Sequence, residues 1–475
     1  MKILFAASEG VPYVKSGGLG DVIGSLPPSL VSEDTEVSVV LPLYDAVPQE
    51  VRERLTFITS VYVPVAWRSQ YCGIFKLEEN GVTWYFIDNE YYFRRGTLYG
   101  AYDDGERFSF FSRAVLTLIG TLGEKPEVIH CHDWQTALVP VFLRTVYAND
   151  PAYAGIKTVF TIHNIEYQGR FGRDIMENVL GLPYELFDNG AMRQDGDVNL
   201  LKSAIIFADK VTTVSPTYAE EIKTAAYGHG LESVLNREAH KLSGIINGID
   251  MNISPKNDPR IFKNYTDRSL KNKKENKDAV REFVNLPVRD DVPLIAMVTR
   301  LVKHKGMDLV CEVLDRILDM DVQVVVLGSG DWQYEQFLRD KAWQYPTKLA
   351  VNIGFNADLA QKFYAGADIF LMPSQSEPCG LAQMIAMHYG TIPVVRETGG
   401  LRDTVIPYNK YTNQGLGFSF SQYDSNDMFN ILCDAIALWN DDRTSWEKMM
   451  RRGMKFDFSW SSSAEKYKEL YRELI

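Results

Sequence analysis

The feature that most constrains this chain is a succession of short, β-branched apolar runs separated by helical patterns. KILFAAS, EVSVVLP, PEVIHC, KTVFTIH, DKVTTVS and SGIINGI form one series; PLIAMVTR, VQVVVLG, LAVNIGF, DIFLMPS and TIPVVRE form a second. Each run has strand length and little polar alternation, the pattern of a strand buried on both faces. Such strands, joined by helices, build parallel sheets. After DKVTTV, Ser215 is a good N-cap and Pro216 fits the first helical position, so a helix should start there. Between the series, residues 255–278 (PKNDPRIFKNYTDRSLKNKKENKD) are poor in apolar side chains and rich in Lys and Asn. They read as a connector whose lysines form a solvated face. At 475 residues the chain exceeds one ordinary core. The expectation is two doubly wound α/β domains in tandem, with a cleft between the carboxyl ends of their strands.

Composition narrows the chemistry. A net charge of −12 argues against nucleic-acid binding, which wants a basic face. No run of 18 apolar residues is present, so no membrane span is expected, and the N-terminus reads as a first strand rather than a signal peptide. Cys72, Cys131, Cys311, Cys379 and Cys433 are scattered and contain no CxxC pair. Reduced thiols in a cytoplasmic protein fit that spacing. An anionic ligand would have to be met by a few placed cations.

Candidate residues follow the strand ends. After the first run come Lys15 and Gly17-Gly18-Leu19-Gly20-Asp21. Glycines and amides at a helix start favour an anion, yet neither the ATPase loop nor the dinucleotide fingerprint is present. A structural turn and a binding loop both remain open at this point. His130-Cys131-His132-Asp133-Trp134 and His163-Asn164 end two further runs. The spacing is wrong for a zinc hydrolase and suits a sugar site, with Asp, His and Asn for hydroxyls and Trp for a ring face. For His130 a satisfied core histidine is the preferred reading. In the second series Arg300, Lys303 and Lys305 follow a strand and could grip a diphosphate. Glu377, ahead of Cys379-Gly380-Leu381 and a helix, suits a sugar hydroxyl, with the helix start suiting phosphate. ETGGLRDTV repeats the glycine-before-helix pattern. Phe355 either stacks on a base or is core beside a strand. Together these loops suggest a nucleotide sugar.

At this point KSGGLGDV, HCHDWQTALVPVFL, IHNIEYQG, NGID, TRLVKHKG, PSQSEPCGLAQM and TGGLRDTV can be taken together. In this order and at these spacings they resemble the bacterial glycogen synthases and plant starch synthases. The resemblance implies a GT-B fold of two facing Rossmann-like domains. Expected limits are 1–250 for glucan and catalytic loops, 251–456 for the donor, and 457–475 for a helix returning to the first domain. It implies glucose transfer from ADP-glucose to the non-reducing end of an α-1,4-glucan such as glycogen, with retention and without cofactor or metal. By the same resemblance Lys15, Gly17, Gly18 and Asp21 form the donor-contacting loop, and Arg300 with Lys305 the diphosphate pair. Asp133 and His163, with Asn164 and Asn247 nearby, would surround the transferred glucose. Glu377 and Cys379-Gly380-Leu381 would hold its hydroxyls and the distal phosphate. Gln375-Ser376 replace an Arg-Phe common in the family, Ile385 stands where related retaining enzymes carry a second Glu, and MNISPKNDP departs from the usual segment after NGID. The rival readings are a UDP-glucose-dependent transferase, a non-catalytic glucan-binding protein of the same fold, and a nicotinamide-dependent oxidoreductase. The last lacks its fingerprint.

Overall fold

The computed structural model describes residues 1–475 and divides into two compact units. One comprises Met1–Asn247 with Trp460–Ile475, the other Gly248–Ser459. The first unit therefore ends at Asn247, where 250 was expected, and resumes at Trp460, where 457 was expected. The residues in between pair with one another: Ile249 donates its amide to the Phe458 carbonyl at 2.8 Å.

In chain order the strands of the first unit are β1 (Lys2–Ala6), β2 (Glu36–Pro42), β3 (Thr56–Val65), β4 (Arg68–Glu79), β5 (Val82–Asp88), β6 (Val128–His132) and β7 (Lys157–Ile162). The short β8 (Arg170–Phe171), β9 (Arg193–Gln194) and β10 (Asp197–Asn199) follow, then β11 (Lys210–Thr213) and β12 (Leu242–Gly244). Nine of them make one sheet in the order β12-β11-β7-β6-β1-β2-β5-β4-β3. It is parallel except at β3–β4 and β4–β5, which are antiparallel. β8, β10 and β9 form a small separate sheet. The apolar runs noted in the first series all contribute strands, although SGIINGI supplies only the end of β12. Ser215 caps the helix Pro216–Glu221 as expected, accepting from the Tyr218 amide.

The second unit contains β13 (Leu294–Val298), β14 (Gln323–Gly328), β15 (Leu349–Ile353), β16 (Ile369–Met372), β17 (Ile392–Arg396) and β18 (Phe418–Phe420). They form one sheet in the order β15-β14-β13-β16-β17-β18, parallel throughout. β13, β14 and β16 are almost wholly buried, as unbroken Val, Ile and Leu runs require.

The last helix, Trp460–Leu474, carries Trp460, Ala464, Tyr467 and Tyr471 at spacings of four, three and four residues, one apolar stripe. These residues are buried in the core of the first unit together with Phe5, Val22, Leu26 and Val39. No helix of the structure is long and apolar enough to cross a membrane.

One expectation fails in the second unit. Residues 271–283 are a helix whose Lys273, Lys277 and Arg281 are buried. Lys273 Nζ donates to the carbonyls of Tyr364 (3.2 Å) and Ala365 (2.8 Å) and to Thr391 Oγ1 (2.8 Å). Lys277 Nζ donates to the Val292 carbonyl at 2.9 Å and pairs with Asp368 at 2.7 Å. This face of the lysine run is an internal clamp on the last carbonyls of the helix Ala357–Gly366 and on that of Val292, and only its other face is solvated.

Candidate active site

Sheet topology selects the places to look. β1 lies between β2 and β6, so the winding of the first sheet reverses there. β13 lies between β14 and β16 and marks the same reversal in the second. Ligands of open α/β sheets bind beyond the strand carboxyl ends at such points.

In the first unit, the segment after β1 brings Glu9 under the glycine loop. Glu9 is buried. Its Oε2 accepts from the amide and hydroxyl of Ser16, both at 2.6 Å, and Oε1 accepts from the amides of Gly17 and Gly20, both at 3.2 Å. Three amides that the sequence offers to an incoming anion are thus already closed on a resident carboxylate. Reading by motif overlooked Glu9; the signal was an acidic residue sealed between an apolar strand and a glycine loop. Lys15 and Asp21, both expected in the donor loop, pair with each other, Lys15 Nζ standing 2.7 Å from each carboxylate oxygen. Gly18, at the start of the helix Gly18–Leu30, has open space where a Cβ would be.

Asp133, immediately after β6, has φ 56° and ψ −179°, a region that costs a side-chain-bearing residue about 1–3 kcal/mol. Its own hydrogen bonds hold it there. The Asp133 amide donates to the Thr161 carbonyl at 3.0 Å, Oδ1 accepts from the His163 amide at 2.8 Å, and the carboxylate also takes the Asn164 amide. The carboxylate therefore splices the exit of β6 to that of β7, bringing Asp133, His163 and Asn164 together as the sequence reading required. Burial pushes the Asp133 carboxyl up to about 7, against the pull of those two amides. His163 Nε2 lies 2.9 Å from His132 Nδ1, and burial drives the His163 ring down to about 3. His130 is the core histidine expected: Nε2 meets Thr161 Oγ1 at 2.6 Å and Nδ1 meets the Tyr471 hydroxyl at 2.7 Å. Trp134 stands edge-on to Phe108 and its ring packs on Gly169, where a Cβ would come within 2.5 Å. It opens onto a cavity of about 420 Å³ that Tyr167, Arg170 and His229 also line. Asn247 is buried and its Oδ1 has no hydrogen-bond partner.

In the second unit, Arg300 follows β13 and its Nη2 lies 3.1 Å from His304 Nε2. Lys305 ends a single 3₁₀ turn, Lys303–Lys305, and its Nζ donates to Glu377 Oε2 at 2.6 Å. Ser374 Oγ donates to the same oxygen at 3.0 Å. Glu377 is buried. The Cys379-Gly380-Leu381 turn runs into the helix Ala382–His388, with Gly380 at φ 73°, where a side chain is disfavoured. The glycines of TGGLRDTV serve close packing. A Cβ on Gly399 would lie 2.0 Å from the Glu377 carbonyl oxygen, and one on Gly400 2.0 Å from that of Cys379. The Gly400 amide donates to the carbonyls of Glu377 and Pro378 at 3.1 Å. The two motifs interlock, and the backbone carrying Glu377 is fixed by that contact. Phe355, beyond β15, is 93% exposed, so the core reading of that residue is wrong. No group of three His, Cys, Asp or Glu side chains is placed to hold a metal ion.

Comparison with known proteins places this geometry. The profile of the family described as "Starch synthase catalytic domain" matches residues 2–237, and that of "Glycosyl transferases group 1" matches residues 278–452. Glycogen synthases from Desulforamulus reducens and Bacillus anthracis are each 50% identical over 476 aligned residues, covering 100% of this chain and 99% and 100% of theirs. The chain belongs to the glycogen and starch synthase family. Its members' fold is present here. The catalytic domain of starch synthase IV from Arabidopsis thaliana, solved bound to ADP and acarbose, superposes with a TM-score of 0.90 at 36% identity, covering 100% of this chain and 99% of that one. Sucrose-phosphate synthase from Thermosynechococcus elongatus, at 18% identity and a TM-score of 0.60, shares the GT-B-like fold alone. As a family member the chain is a glucosyltransferase.

Proposed function

We propose that this chain transfers glucose from ADP-glucose to the non-reducing end of an α-1,4-glucan, retaining the anomeric configuration. The observation that carries this reading is the Lys305–Glu377 ion pair, with Arg300 following β13 at the reversal point of the second sheet, in a chain similar throughout to an enzyme solved with ADP and acarbose. Arg300 and Lys305 meet the diphosphate, Glu377 and the Cys379–Leu381 turn orient the glucose, and Asp133 with His163 and Asn164 surrounds its reacting face. The exposed Phe355 offers a flat surface to the base, and the cavity beside Trp134 offers a ring face and polar groups to the glucan. Cysteines that form no disulfide with one another support a cytoplasmic site of action.

Retention by double displacement needs a free carboxylate nucleophile about 5–5.5 Å from an acid. Here the Asp133 carboxylate is committed to backbone amides and Glu377 Oε2 to Lys305 and Ser374. The motifs offer no carboxylate pair for that reaction, Ile385 standing where related enzymes carry a second Glu, which favours a same-face displacement instead. The bond from the anomeric carbon to the diphosphate oxygen breaks, the bond to the glucan hydroxyl forms, and the hydroxyl proton passes to the departing phosphate. Arg300 and Lys305 neutralise the charge that develops. Water must be excluded, since it would compete with the glucan.

Incorporation of radiolabelled glucose into glycogen, from ADP-glucose and UDP-glucose in parallel and with a Glu377→Ala control, tests the reading. Transfer from ADP-glucose, lost in the control, is expected. Transfer from UDP-glucose alone overturns the donor assignment, and none from either donor restores the binding-protein alternative.

A further inference from the structure

His132, the last residue of β6, is fully buried and its Nδ1 lies 2.9 Å from His163 Nε2. Its surroundings leave the ring little freedom. Phe5 stacks on it at 5.5 Å and 14°, and the His130 ring lies 4.2 Å away. The Thr136 hydroxyl takes the His132 amide and returns a bond to the His132 carbonyl. The remaining nitrogen, His132 Nε2, is sealed from solvent and has no hydrogen-bond partner.

That orphaned atom decides where the protons sit. Burial holds both imidazoles neutral, and for His132 the neighbouring His130 and His163 rings act in the same direction. Each neutral ring then carries one N–H and one lone pair. Were His163 the donor across the 2.9 Å contact, His132 would carry its only proton on Nε2. That N–H would be buried against no acceptor, whereas the other tautomer leaves only a bare lone pair there, and of the two an orphaned N–H is the rarer. With His132 Nδ1–H as the donor, Nε2 carries only a lone pair. The bond made by one ring nitrogen sets the state of the other, so His163 must then hold its proton on Nδ1.

We propose that His132 is a positioning residue that locks His163 as its Nδ1–H tautomer, so that His163 meets the bound sugar only as a hydrogen-bond donor. This deepens the proposed reaction and rests on its placing of His163 beside the glucose. It also assigns the proton. A His163 with its Nε2 lone pair occupied and Nδ1 protonated cannot take the glucan hydroxyl's proton, in keeping with its passage to the departing phosphate oxygen.

The test has two arms. In the full-length protein labelled with ¹⁵N-histidine, long-range ¹H–¹⁵N correlations report which ring nitrogen of His163 bears the proton, its signals assigned by their loss in His163→Gln. A protonated Nδ1 is expected, and a protonated Nε2 overturns the proposal whatever the enzyme's activity proves to be. In the second arm, His132→Leu removes the donor, whereas His132→Asn retains an N–H able to replace it. The Leu variant should lose kcat by about 10–100-fold, as loss of an orienting partner does elsewhere, with the Asn variant within a few-fold of the parent. Equal kcat in the two variants overturns it. The spectrum is independent of turnover, so a failure of the tautomer lock and a failure of the assigned reaction are read separately.

Discussion

Lys305 Nζ and Glu377 Oε2 stand 2.6 Å apart, with Ser374 Oγ on the same carboxylate oxygen, so the cation assigned to the diphosphate and the carboxylate assigned to the sugar hold each other in place. A charge removed from one is felt by the other, and the two should not behave as independent sites. Lys305→Ala should lower kcat by on the order of 10²–10³, the usual scale for a lost transition-state partner. Lys305→Ala/Glu377→Ala should cost little more than the worse of the two single changes. Steady-state transfer kinetics on the four proteins of the cycle check this; unchanged turnover in Lys305→Ala removes the charge-neutralising role.

Glu9 shapes the donor loop from beneath. In Glu9→Gln an NH₂ group replaces one acceptor oxygen and confronts amides that themselves donate. We expect a loss of about 1–3 kcal/mol in denaturant unfolding, the scale for unmet buried polar groups, together with a raised KM for the sugar nucleotide. Should the variant match its parent in both measurements, the carboxylate does not organise the loop.

Asp133 makes stability depend on pH in an unusual direction. Its folded carboxyl titrates at about 7 against an ordinary 3.8. Between those values the folded chain holds a proton that the unfolded chain has released, so the contribution is complete below the unfolded value and is lost as pH rises through the folded one. Asp133→Asn cannot titrate. Its stability should therefore improve relative to the parent by about 1 kcal/mol per pH unit from pH 5 to pH 7, measured as the difference in unfolding midpoints. A constant difference across that range shows that the carboxyl titrates at an ordinary value.

The architecture was legible because parallel strands covered on both faces leave unbroken apolar runs, and both sheets repeat that signature. The β3–β5 meander escaped the same reading. β3 begins exposed, then alternates exposed positions with half-buried or buried ones, and lies at the sheet edge, where burial imposes no run. Its signal was the Asn80-Gly81 pair between β4 and β5, both residues left-handed, which marks a tight hairpin. Lys273 and Lys277 misled for a different reason. Charge predicts solvation only until a chain presents carbonyls to be met, and those of Tyr364 and Ala365 come from a segment remote in sequence. At the site, Asp133 and Glu377 could be named from motifs, whereas Glu9 and His132 act through backbone amides and another ring, relationships that no local motif encodes.

The final helix has a consequence for how the protein is made. His130 Nδ1 finds its partner in Tyr471, 341 residues further along the chain. A ribosome must finish all of Gly248–Ser459 before Trp460–Leu474 emerges, a delay on the order of tens of seconds at roughly 5–20 residues per second. Throughout it, the surface of the first unit that receives this helix, including Val22 and Leu26, is uncovered. The nascent chain thus carries an open apolar seam until Trp460–Leu474 arrives, and a message truncated ahead of that helix leaves the first unit unsealed.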